Sequence, residues 1–385
     1  MNHAFEYHPG PRLIVGEGSL GRLGELARDL GASRALIASD PGIVAAGHAA
    51  AGVAALEEAG LTATVFSEFG ENPSTVAIEA GTAMARAFRP DLLVGLGGGS
   101  SMDTAKGINF LYSCGGRMQD YHGRGLATGA MLPSLAIPTT AGTGSETQSF
   151  ALITDAESGM KIACGDRRAA FRSVILDVAL TLTQPPRVAA VTGIDAVAHA
   201  VESFVSTAAT PASRMLSREA WRLLTANLPR VFRDGSDVEA RAAVQLAAAW
   251  AGLAIENAML GAAHALANPL TAAHGIVHGQ AVGLMLSHVV RFNGPACQSA
   301  YGELLDVAGG SAAGRAASSD AAAALANWLD GLLAAAGLAR SLTELGLANP
   351  DIPSLAKAAS SQWTAGFNPR PVTAAELAAI YEAAR

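Results

Sequence analysis

Between Leu13 and about Thr183, short apolar runs alternate with longer amphipathic stretches. RALIAS from Arg34, TATVFS from Thr62 and DLLVGLG from Asp91 each have the length of a strand, and the segments between them, including Ser74 to Phe88, carry helical spacing. Strands separated by helices call for a parallel sheet, because parallel neighbours need a crossover connection. Residues 1–183 are therefore expected to form an α/β, doubly wound domain. After Pro185 and Pro186 the pattern changes to long Ala- and Leu-rich helical segments with no convincing strand, so residues 184–385 are expected to be all-helical. GGSAAGRAASSD, Gly309 to Asp320, reads as an exposed loop, with Asp320 placed to cap the helix that follows.

A chain of 385 residues is too long for one ordinary core, which agrees with two domains and a cleft between them. Half of the residues are hydrophobic and 15% are charged, a balance that suits packed structure rather than disorder. The net charge of -7 is spread without a Lys/Arg cluster, so neither nucleic acid nor an anionic membrane is expected as a partner, and small-molecule chemistry is. Cys114, Cys164 and Cys297 are odd in number, far apart and in no C-x-x-C arrangement, and MNHAFEYHPGPRLIVG does not resemble a signal peptide; a cytoplasmic protein is expected. Asn257 to Val290 contains no charged residue yet holds four histidines with Asn257, Asn268, Pro269 and Gln280. Hydrocarbon would not tolerate these groups, so the stretch reads as protein core around a polar site.

Candidate chemistry falls at three places. In DLLVGLGGGSSMDTAKG, Asp91 to Gly107, an apolar strand runs into Gly97, Gly98 and Gly99, with Ser100 following and a helix from about Ser101. Bare backbone N–H groups at a helix start form a phosphate site, although a glycine turn can also be only a turn. IPTTAGTGSE, Ile137 to Glu146, is a second such turn, with hydroxyls at Thr139, Thr140, Thr143 and Ser145. Two such turns at the carboxyl ends of strands in one sheet are where a dinucleotide lies; a capping box serving only its helix is the alternative. Asp40, after RALIAS and before Pro41, could bind an adenosine ribose, favouring NAD over NADP, or cap a helix. The third place is GIDAVAHAVES, where Asp195 and His199 are four apart and share a helix face. His264 and His278, in the uncharged segment, complete a carboxylate-and-imidazole set suited to Fe(II) or Zn(II). His274 lies between those two and could face substrate, support the ligands or be structural.

GGGSSMDTAKG, PTTAGTGSE, TGIDAVAHAVES and the HALANPL…HGIVHGQAVGLMLSHVVRFN segment, in this order, resemble the iron-containing (type III) alcohol dehydrogenase family almost end to end. The resemblance implies the dehydroquinate synthase-like fold, an N-terminal dinucleotide-binding domain and a helical metal domain. It implies a metal on Asp195, His199, His264 and His278, and cofactor contacts from Asp40, Asn72, Gly98, Gly99, Ser100, Asp103, Thr139, Thr140 and Lys161, with Thr143 offering a further hydroxyl. It also implies hydride transfer between NAD(H) and a small alcohol or aldehyde, by a homodimer or larger homo-oligomer. Other readings on this fold are reduction of a charged or bulkier carbonyl, polyol oxidation, and a catalytically silent cofactor-binding homologue.

The chain departs from the family pattern twice. Many members carry a proton-relaying histidine one turn beyond the ligand matching His264; here the residue is Asn268, which leaves His274 as the candidate for proton exchange. Thr147 and Gln148 replace the common Val-Thr, and Phe150 follows.

Overall fold

The computed structural model describes residues 4–309 and 320–385. Contacts divide the chain into Pro9–Gln184 and Pro185–Arg385, and the segment before Pro9 groups with the second unit although it precedes the first in sequence. Asn257 explains that grouping: its Oδ1 accepts the His8 N–H at 2.8 Å and its Nδ2 donates to the His8 carbonyl at 3.1 Å.

In the first unit, β1 (Arg12–Val15), β2 (Arg34–Ala38), β3 (Thr62–Phe66), β4 (Leu92–Gly97), β6 (Ser134–Pro138) and β9 (Ser173–Leu176) form a parallel sheet in the order β1-β9-β6-β4-β2-β3. The crossovers include α1 (Leu23–Asp29), α2 (Pro41–Ala45), α3 (His48–Glu58), α4 (Thr75–Phe88) and α5 (Gly99–Cys114). All of β4 is buried, which is why its sequence is a continuous apolar run rather than an alternation. Leu26, Ile37, Leu56, Val94, Leu135 and Ile175 meet in the core beneath it. β2, β4 and β6 are neighbours, so the segments after Ala38, Gly97 and Pro138 emerge side by side.

A second sheet was not expected from the sequence. β5 (Gly123–Arg124), β7 (Phe150–Thr154) and β8 (Lys161–Gly165) pair in the order β5-β8-β7, with β7 and β8 antiparallel. Its short strands are joined by a turn in which Asp155 accepts from the Ser158 hydroxyl at 2.5 Å.

The second unit is built of helices, with no strand among its described residues. It comprises α6 (Pro186–Val205), α7 (Pro211–Arg233), α8 (Val238–Glu256), α9 (Ala262–His274), α10 (His278–Ala308), α11 (Ala321–Ala335), α12 (Ile352–Ser360) and α13 (Ala374–Ala383). α6 and α8 are long and apolar enough to cross a bilayer, but 89% and 67% of their most apolar windows are buried within the protein. Most of the loop expected from Gly309 to Asp320, residues 310–319, lies outside the described residues. Asp320 caps α11, its side chain accepting the Ala323 N–H at 3.0 Å.

Candidate active site

In the α/β unit, α5 starts at Gly99, two residues earlier than the sequence suggests, with Gly98 as N-cap and no capping side chain. Its leading N–H groups are thus left for a ligand, the arrangement that binds phosphate. Gly99 is required by close packing of the two turns, whereas a Cβ on Gly98 would only touch the second turn at ordinary contact distance. A Cβ on Gly99 would lie 2.9 Å from Thr143 Cγ2, and one on Gly98 3.4 Å from Thr140 Cγ2. Gly97 has φ +146°, and a Cβ there would strike Ser101 Oγ at 2.2 Å.

Thr139, Asn72, Asp40 and Asp103 gather at the same strand ends, while Lys161 begins β8 of the second sheet. Thr139 N–H donates to the Gly97 carbonyl at 2.9 Å, and the buried Thr139 hydroxyl has no hydrogen-bond partner among the described residues. Asn72, in the left-handed region at φ 56°, donates its backbone N–H to Ser100 Oγ at 3.2 Å. Asp40 caps α2 through the Gly42 and Ile43 amides, and its Oδ2 accepts from Ser101 Oγ at 3.4 Å. The cap is therefore real, and the second oxygen still faces the first turn. Asp103 accepts from Ser145 Oγ at 2.8 Å; burial pushes its carboxyl up, opposed chiefly by Lys106 and also by Lys161.

Lys106, not singled out from the sequence, joins the two turns. Its buried Nζ donates to the Ser145 carbonyl and hydroxyl at 2.7 and 3.0 Å and to the Phe150 carbonyl at 2.7 Å. A lysine one turn beyond Asp103, in a helix that the glycine turn places against the sheet, was the available signal. The unusual Thr147 and Gln148 brace this loop, Gln148 Nε2 donating to the Thr143 carbonyl at 3.2 Å and Thr147 Oγ1 to that of Gly144 at 3.0 Å.

In the helical unit, Asp195 and His199 share one face of α6, and α9 and α10 bring the other imidazoles to them. Asp195 Oδ1 lies 3.4 Å from His199 Nε2, 3.4 Å from His264 Nε2 and 3.9 Å from His278 Nε2. The His199 and His264 rings stack at 4.9 Å between centroids. Glycines make this approach possible: a Cβ on Gly279 would fall 2.1 Å from the Val191 carbonyl oxygen, and one on Gly283 2.4 Å from Ile194 Cγ2. Gly279 and Gly283, one turn apart, thus let the start of α10 lie directly on α6 beside Asp195.

This donor set fits a divalent cation. Ligands at about 2.1 Å in a tetrahedron stand about 3.4 Å from one another. Asp195 Oδ1 and His264 Nε2 are fully buried with no aligned hydrogen-bond partner among the described residues, which a shared cation would correct. Burial alone would raise the Asp195 carboxyl, but the three imidazoles outweigh it and hold it well below the usual carboxylate range. Burial would likewise lower His264, yet the Glu202 and Asp195 carboxylates push it up to about 9. Asp195, His199 and His264 are each 4% exposed, whereas the His278 side chain is 27% exposed and forms the open side.

His274 is not drawn into this cluster. It ends α9, exposed, about 15 Å along the helix axis from His264. Asn268, one turn after His264, donates to Gln362 Oε1 at 2.9 Å.

A parallel α/β unit with an uncapped, glycine-lined helix start, together with a helical unit holding one carboxylate against three imidazoles, defines a class: two-domain proteins equipped for a dinucleotide and a divalent metal. The chain belongs to the iron-containing alcohol dehydrogenase family, whose sequence profile matches residues 10–178 and whose C-terminal profile matches residues 189–385. It is 32% identical over 373 residues to the NAD-dependent methanol dehydrogenase of Bacillus methanolicus, covering 96% of this chain and 97% of that protein. Among solved structures, 1,3-propanediol oxidoreductase superposes with a TM-score of 0.95 at 31% identity, over 100% of both chains. The sulfoacetaldehyde reductase of Bifidobacterium kashiwanohense, solved in complex with NAD+, gives 0.89 at 28% identity over 100% of this chain and 99% of that one.

Proposed function

We propose that this chain is a divalent-metal-dependent, NAD-linked oxidoreductase that interconverts a small alcohol and its aldehyde. The observation that carries the reading is the convergence of His199, His264 and His278 Nε2 on Asp195 Oδ1 within 3.4 to 3.9 Å. Those four residues would hold the metal, Fe(II) or Zn(II). When bound, the cation supplies Lewis-acid polarisation of the substrate oxygen and the nicotinamide supplies or accepts the hydride.

The protein's part is positioning. Gly98, Gly99 and Ser100 offer backbone N–H groups to the pyrophosphate, Thr139, Thr140 and Thr143 line the second turn, Asp103 holds that turn through Ser145, and Lys161 is assigned a further cofactor contact. Asp40 offers Oδ2 toward the ribose, which favours NAD over NADP, and the NAD+ complex of the similar sulfoacetaldehyde reductase supports the same choice. His274, exposed and four residues before the first residue of α10, is assigned proton exchange with solvent because Asn268 cannot ionise. The free thiols of Cys114, Cys164 and Cys297 support a cytoplasmic setting, and β1, at the edge of the six-stranded sheet, supports a homo-oligomer.

The substrate is best tested directly. Metal-stripped protein is refilled with Fe(II) or Zn(II), and reduced-nicotinamide absorbance is followed across small alcohols, polyols and aldehydes, including sulfoacetaldehyde. Turnover that requires the added metal is expected with at least one class. Turnover without metal, or none with any combination, overturns the proposal. The similarity to sulfoacetaldehyde reductase supports a second reading, reduction of a charged aldehyde, which the same panel separates.

A further inference from the structure

Helix α9 starts after Gly261 with no capping side chain of its own. Two side chains from elsewhere in the helical unit take its first amides. Ala263 N–H donates to Glu202 Oε1 at 2.7 Å, and Ala262 N–H donates to Asn368 Oδ1 at 3.3 Å. The other oxygen of Glu202, Oε2, meets His264 Nδ1. A carboxylate carries only acceptors, so the proton in that contact sits on Nδ1, and in the neutral imidazole, the form that ligates a metal, the lone pair is left on Nε2. That lone pair is on the side of Asp195 Oδ1, 3.4 Å away.

The surroundings are built to keep Glu202 there. A Cβ on Gly261 would stand 3.1 Å from both Glu202 Oε1 and Asn368 Oδ1, so glycine lets both acceptors close over the helix start. Asn368 is locked in turn by a reciprocal amide pair with Asn293, at 2.8 and 3.0 Å, and by donation to the Arg370 carbonyl at 2.6 Å. Glu202, Asn293, Tyr301 and Asn368 also line a cavity of about 10 Å³. That is room for one water and no organic substrate.

We infer that Glu202 is a positioning residue for the metal centre. It fixes the His264 tautomer, seats the first turn of α9 through Ala263, and with Asp195 provides two negative charges that match a divalent cation. Asn368 and Asn293 hold the same helix start from the other side. The inference rests on the metal-dependent reading above and concerns residues that touch no substrate.

The test uses the full chain. Glu202→Gln keeps an acceptor for one donor but turns an amide N–H toward the other. Its Zn(II) affinity, measured by competition with a chromophoric chelator after refilling metal-stripped protein, is expected to fall about ten- to hundredfold with unchanged circular dichroism. Asn368→Ala, which does not touch His264, is expected to weaken Zn(II) less. In the unaltered Zn(II) protein labelled with ¹⁵N-histidine, His264, assigned by its loss in His264→Ala, is expected to carry its proton on Nδ1. That measurement decides the matter if Glu202→Gln does not fold. Wild-type Zn(II) affinity in folded Glu202→Gln, or a proton on Nε2 of His264, overturns the role of Glu202 alone. Failure of the unaltered protein to retain any divalent metal overturns the functional reading instead.

Discussion

Burial lifts the Glu146 carboxyl from its ordinary 4.5 to about 7, the backbone and Lys106 offsetting only part of the desolvation. The folded protein therefore binds this proton more tightly than the unfolded chain. The contribution to stability is full below pH 4.5 and is lost as pH rises through about 7. For a fully buried group the difference is about 3 kcal/mol. Glu146→Gln should remove that dependence, so urea unfolding from pH 4.5 to 8 should show the variant gaining on wild type as pH rises; parallel curves would refute this. At the metal site, Asp195→Ala and His278→Ala each remove one of four donors and should purify without bound metal, at least about a hundredfold weaker by chelator competition. Full occupancy in either variant contradicts the ligand assignment. His274→Ala should lower turnover in a pH-dependent way, and an unchanged pH–rate profile removes it from proton exchange.

At the scale of elements, contacts between helices decide what the ligands can do. A Cβ on Gly279 would meet the Val191 carbonyl oxygen at 2.1 Å, and backbone cannot move aside as a side chain can. Gly279→Ala should cost about 1–3 kcal/mol in urea unfolding and also weaken metal binding, because α10 carries His278 away from α6. Loss of stability with full metal affinity would show that α10 re-seats without consequence for the ligands. The same contacts mark the limit of reading by sequence. Asp195 and His199 were legible because one helical turn joins them, and His264 and His278 because histidines in an uncharged stretch demand partners. Glu202 was not, since its bonds to Ala263 and His264 span 61 and 62 residues. The β7–β8 hairpin was missed although FALIT, Phe150–Thr154, is an apolar run of strand length, because its partner KIACG carries no such run and the pairing of the two defines the sheet.

At the scale of the whole molecule, the two sets of candidate residues belong to different compact units, the turns after β4 and β6 to Pro9–Gln184 and the carboxylate–imidazole cluster to Pro185–Arg385. The alternation and periodicity of the sequence foretold both kinds of unit, because each period reports burial within its own elements. They could not foretell that the segment before Pro9 joins the helical unit, which depends on Asn257, 249 residues from His8. The division also predicts how ligands stabilise the protein. A ligand that binds only the folded state adds about 2.7 kcal/mol at a hundredfold excess over its Kd. Zn(II) should therefore slow hydrogen exchange in peptides from α6, α9 and α10, where opening of the fold exposes its ligands. NAD should slow exchange in residues 97–101 and 138–145, where opening exposes the amides proposed to bind phosphate. Peptide-resolved exchange mass spectrometry checks both, and NAD protection absent from those two turns would remove them from the cofactor site even if turnover were intact.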